Sequence, residues 1–138
     1  MTSSQPVVTP NALNFTPDNL HCYTYSGLRN SGGSGAEVTF LNFKSQSEYI
    51  VGKFQFFYAT DSVQGSDMIY RIKLNDQIIS QYLDIEDIRM AGDPHQPIRV
   101  IIPPFTEVTV TIASIAGAQQ QAAIFTGKAI GMIETEYQ

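Results

Sequence analysis

Val100-Ile-Ile-Pro-Pro-Phe-Thr-Glu-Val-Thr-Val110 decides how this chain is read. An apolar run meets two consecutive prolines, turns, and resumes as an alternation of apolar and polar residues. Proline lacks the N–H that a sheet ladder needs, so Pro103 and Pro104 belong at a strand end or a corner. Beyond them Val108, Val110 and Ile112 point one way and Glu107, Thr109 and Thr111 the other. That two-residue period is the mark of a strand with one buried face.

The same grammar repeats on both sides of this stretch. Strand-like runs cover Leu20–Ser26, Glu37–Phe43, Glu48–Thr60, Met68–Leu74, Gln77–Leu83, Pro97–Ile102, Glu107–Ile115 and Gln121–Glu134. Asn75-Asp76 between two alternating runs predicts a tight hairpin, because both residues tolerate positive φ. In the long run Ile50, Gly52, Phe54, Phe56 and Tyr58 share one face, and Tyr49, Val51 and Phe57 the other. Apolar residues on both faces predict either a strand buried on both sides or a strand at a subunit interface. Gly127, Ala129 and Gly131 share one face of the last run, which allows close approach of a neighbouring backbone or marks a bend. Phe54, Phe56, Tyr58, Ile101, Phe105, Val108 and Val110 are the expected core.

No segment of helical length has a 3.6-residue period; Ile85–Met90 has room for a single helical turn inside the polar stretch Asp84–Gln96. The expected fold class is therefore all-β: a two-sheet, jelly-roll-like sandwich of about eight antiparallel strands. Residues 1–19 hold Pro6, Pro10 and Pro17 among many Ser, Thr and Asn residues, and read as an extended N-terminal arm. Such an arm either hangs free or docks along a neighbouring subunit. Residues 20–138 read as one domain.

The chain has 138 residues and a net charge of −5. Its eight Lys and Arg are scattered along the sequence, which argues against nucleic acid and against an anionic membrane surface as partner. The single cysteine, Cys22, cannot form an internal disulfide. The N-terminus lacks the basic and apolar regions of a signal peptide, so folding in a cytosol is expected.

Catalytic chemistry is sparsely represented. The two histidines, His21 and His95, are too few for a cupin-type metal centre. His21 and Cys22 are neighbours in a strand, point to opposite faces, and do not form a dyad; Cys22 reads as a core filler. Ser31-Gly-Gly-Ser-Gly35 lacks the Lys-Ser/Thr of a phosphate loop and reads as a loop tip. Asp84, Glu86 and Asp87 lack calcium-loop spacing and read as a solvated acidic loop. No catalytic residue, metal ligand or cofactor site is nominated, and the chain is not expected to be an enzyme.

Phe57-Tyr-Ala-Thr-Asp61, Tyr70-Arg-Ile-Lys-Leu-Asn-Asp-Gln77, Ile101-Ile-Pro-Pro-Phe-Thr-Glu-Val-Thr-Val110 and Phe125-Thr-Gly-Lys-Ala-Ile-Gly131 carry a family likeness. Together they resemble small jelly-roll proteins of tailed-phage and related virions, in particular the capsid decoration, or cement, proteins. The likeness is one of strand grammar and length over residues 48–131. It implies a homotrimer on the capsid surface that binds the major capsid protein and stabilises the assembled shell. It also implies partner contacts by the arm, for which Pro6, Val7, Val8, Pro10, Phe15 and Pro17 are the candidates. The location implied is the virion, after folding in the host cytoplasm. The acidity of this chain departs from cement proteins that bind by charge, so its contacts would be mainly apolar and hydrogen-bonded. The alternative reading is a receptor- or glycan-binding head of a viral fibre or spike. Loops 31–35, 59–66 and 84–96 would then form the ligand face, although the lack of tryptophan counts against an aromatic sugar platform.

Overall fold

A computed structural model describes residues 12–17, 20–31, 35–58, 68–84, 97–114 and 120–130. Ten strands run through them: β1 (Asn14–Phe15), β2 (His21–Tyr25), β3 (Arg29–Asn30), β4 (Val38–Lys44), β5 (Tyr49–Tyr58), β6 (Met68–Leu74), β7 (Gln77–Asp84), β8 (Ile98–Ile102), β9 (Glu107–Ser114) and β10 (Gln120–Ile130). They form two antiparallel sheets, and there is no helix among the described residues. The first sheet has the order β1-β2-β10-β5-β8, with β3 also pairing the start of β10; the second has the order β4-β9-β6-β7.

All eight expected runs are strands. The two additions, β1 and β3, have two residues each, too short to show a period. Asn14 and Phe15, within the span read as an arm, pair with Tyr23 and Cys22. The stretch 85–96, with its suggested helical turn, lies outside the described residues, as do 131–134 of the last run.

The apolar faces of the two sheets meet in one core. Phe54, Phe56, Val108 and Val110 are fully buried there, together with Phe40, Ile50, Met68, Tyr70, Ile72 and Phe125. The Phe125 ring stands 4.7 Å from that of Phe54 and 5.3 Å from that of Phe43, while Phe56 and Tyr70 meet at 4.6 Å with their planes tilted by 43°. Gly52 and Gly127 pair across β5 and β10. A Cβ on Gly52 would lie 2.6 Å from the Phe125 ring and 2.4 Å from the Thr126 carbonyl, so the ring fills space that only glycine leaves open.

Two expected core residues are corrected. Ile101 is 62% exposed and Phe105 66% exposed. In β8 the inward positions are Ile98, Val100 and Ile102, so Arg99 and Ile101 face out. Three consecutive apolar residues at 100–102 hid which set was buried. Phe105 sits in the crossover from β8 to β9 with φ 54°, which turns its side chain away from the core. Only the backbone of Tyr58 is described.

The Pro103-Pro104 corner carries the chain from the first sheet to the second. It runs beside the reverse crossover, from β4 to β5, and Ser45 joins the two. Its hydroxyl donates to the Pro103 carbonyl at 2.7 Å and accepts from the Thr106 N–H at 2.8 Å. The Phe105 N–H donates to the Gln46 carbonyl at 2.8 Å. In the β6–β7 hairpin Asn75 (φ 50°) and Asp76 (φ 68°) both take positive φ, the two-residue turn whose twist matches its strands.

Candidate binding surfaces

The first sheet shows the solvent a mixed face. Alternation along β5 sends Tyr49 and Val51 outward, 50% and 41% exposed. Val51 pairs directly with Ile101 on β8, and Tyr49 pairs with Ile130 on β10. An exposed apolar row therefore crosses the sheet near one of its edges. The two readings offered for β5 separate here: its inner face is core and its outer face is a surface available to a partner.

The second sheet exposes apolar side chains at an edge too. A register shift in the β6–β7 ladder lies opposite Ser80 and Ile78. It breaks the alternation, and both Ile78 and Ile79 are exposed on β7. Among the described residues β7 is an edge strand, and an edge with apolar side chains invites pairing. Consecutive isoleucines at 101–102 are the sequence signal that one of the two must face out; at 78–79 the register shift leaves both outside.

On the second sheet one carboxylate serves two cations. Glu37 binds Arg71 Nη1 through Oε2 and Lys73 Nζ through Oε1, the latter at 3.0 Å. The hydrogen bond from Lys73 is the main reason its carboxyl is held below the ordinary 4.5; desolvation opposes this, and the charges of Lys73 and Arg71 add to it.

Of the nominated arm residues, Pro6, Val7, Val8 and Pro10 lie outside the described residues. Phe15 lies in β1, at one edge of the first sheet, and its side chain and that of Pro17 are exposed. The Thr16 N–H donates to the His21 carbonyl at 2.9 Å and fastens this segment to β2. His21 is exposed and Cys22 is buried, on opposite faces as their adjacency requires. Burial pushes the Cys22 thiol up to about 11, which removes it as a nucleophile near neutral pH. Among the described residues no three His, Cys, Asp or Glu side chains group to hold a metal ion. His95 and the candidate ligand loops at 32–34, 59–66 and 85–96 lie outside the described residues.

No protein-family model matches the chain, and no curated protein matches its sequence. Its fold has relatives among solved structures. VP2 in the subviral particle of infectious bursal disease virus superimposes with a TM-score of 0.54 at 13% identity, over 81% of this chain and 33% of that one. The structure of the Gx strain of the same virus gives a TM-score of 0.50 at 17% identity, over 80% of this chain and 32% of that one. This chain thus spans about a third of the length of those relatives. The shared property is the fold, a jelly-roll found in viral capsid proteins.

Proposed function

We propose that this chain is a structural virion protein that binds the assembled capsid and stabilises it, working as a homotrimer in the manner of a decoration protein. The observation that carries this reading is the jelly-roll sandwich with apolar side chains left on its outside: Tyr49, Val51 and Ile101 on the first sheet, and Ile78 and Ile79 on the edge of the second. The fold likeness to viral capsid proteins supports it. A protein that binds the assembled shell and not its separated parts stabilises the shell by mass action. The major capsid protein is the partner in this reading, and residues 6–17 supply a further contact through Pro6, Val7, Val8, Pro10, Phe15 and Pro17. Closed threefold association covers edge strands that a monomer leaves open.

Light scattering on the purified chain tests this. The expected mass is three times the 15.3 kDa of one chain. Substituting Ile78 and Ile101 by Ser is expected to shift the mass toward that of one chain. A monomeric wild-type protein overturns the trimer.

A further inference from the structure

The chain is acidic overall, yet one surface is locally cationic. On the outer face of the first sheet a shallow groove of about 300 Å³ runs over the Gly52–Gly127 pair. Its lining includes Lys53, Arg99, Lys128 and His21, with Thr126 and Val51 between them. Three of the eight Lys and Arg of the chain are thus gathered around one groove.

The register brings these charges together. Lys53 on β5 stands directly opposite Arg99 on β8 and, on its other side, opposite Thr126 on β10. Lys128 pairs with His21 across β10 and β2. Like charges directly opposite one another in a sheet destabilise it. Among the described residues no carboxylate forms an ion pair with Lys53, Arg99 or Lys128. On the second sheet, by contrast, Arg71 and Lys73 are both satisfied by Glu37. An anion bound between these side chains would relieve that repulsion.

We infer that this groove binds a sulfated polysaccharide. Lys53 and Arg99 form one anion position. Lys128 is a diagonal neighbour of Lys53, at a separation of about 7–8 Å for that relation in an antiparallel pair, and forms a second. Between the two positions lie a hydroxyl, Thr126, and an apolar wall, Val51. A sugar ring bearing sulfate esters offers the complement: separated anions that stay ionised at any physiological pH, hydroxyls, and an apolar ring face. Sulfate oxygens suit the multiple N–H donors of Arg99. The lining holds no Phe, Tyr or Trp and its one ring is the His21 imidazole, so it lacks the series of rings on which successive nucleic acid bases stack. Nor does it hold an enclosed hole for the buried anchor side chain of a peptide. This inference stands apart from the virion reading and does not depend on it.

Titration calorimetry with a heparin hexasaccharide tests it on the full chain. Binding is expected, weakening by about ten-fold in Lys53→Ala/Arg99→Ala and again when the sugar is desulfated. Lys44→Ala, which removes a charge from the second sheet, is expected to bind like the wild type. Lys128→Gln provides a second groove variant, and all groove variants are expected to melt no lower than the wild type, because each relieves repulsion. The inference is overturned if the wild type does not bind, or if Lys44→Ala weakens binding as much as the groove variants. It is also overturned if poly-glutamate or an oligothymidylate of equal charge binds the same residues as tightly. Those last results would assign the groove to an acidic peptide or to nucleic acid.

Discussion

A buried hydrogen bond links the two sheets through the core of the sandwich. Tyr70 on β6 donates from its hydroxyl to Gln121 Oε1 on β10 at 2.9 Å, and both side chains are fully buried. A buried pair of this kind adds little net energy when complete and costs more when broken, because the remaining polar group is stranded. Tyr70→Phe should therefore destabilise by about 1–3 kcal/mol in urea unfolding. Tyr70→Phe combined with Gln121→Met should cost less than the sum of the two single changes. Strict additivity would show that the bond does not couple the sheets. Neither partner was legible in the sequence as half of a pair. Tyr70 follows the alternation of its strand, but Gln121 reads only as the first residue of the last strand, a polar side chain with no sign that it faces inward. Only the pairing of β10 between β3 and β5 at this point carries that glutamine inside.

At the scale of elements, the strands themselves were readable and the geometry between them was not. Alternation located β4 to β10 within a few residues, because a half-buried strand must repeat every two residues. The Asn75-Asp76 turn was readable for a local reason, the positive φ it demands. What alternation cannot say is which of two apolar neighbours faces in, and Ile101 went to the wrong side for that reason. The cationic groove was hidden more deeply. Lys53, Arg99 and Lys128 belong to three separate strands and meet only because β5 lies between β8 and β10. The Gly52–Gly127 pair yields a sharp prediction at this scale. A Cβ on Gly52 meets backbone, 2.4 Å from the Thr126 carbonyl, whereas one on Gly127 meets only side chains at 2.9–3.0 Å. Gly52→Ala should lower the urea midpoint clearly more than Gly127→Ala, the former by about 3 kcal/mol or more, the large end for single substitutions. Equal losses would mean that the two strands part readily at this point.

At the scale of the molecule, Glu37 is the carboxyl among the described residues that ties stability to acid pH. Its folded carboxyl lies below the ordinary value of 4.5, so it contributes stability above that value and loses it as pH falls through the folded one. The group is partly exposed and screened, so the contribution is under about 1 kcal/mol. Urea midpoints of wild type and Glu37→Gln should differ at pH 6 and converge toward pH 3; parallel curves would remove Glu37 from the acid response. The strand order has a consequence for how the chain is made. Among the described strands the second sheet is complete at Ser114, whereas the first is built around β10, which follows all the others in the chain. Until β10 arrives, β2 and β5 have no neighbour in common, and the Phe54 and Phe56 face of β5 has no ladder beside it on that side. Nascent chains emerge at about 5–20 residues per second, slow enough for a half-finished sandwich to meet its copies. During synthesis the newborn protein therefore passes through a stage when the core face of its first sheet is incomplete, and copies growing side by side on one message could pair there.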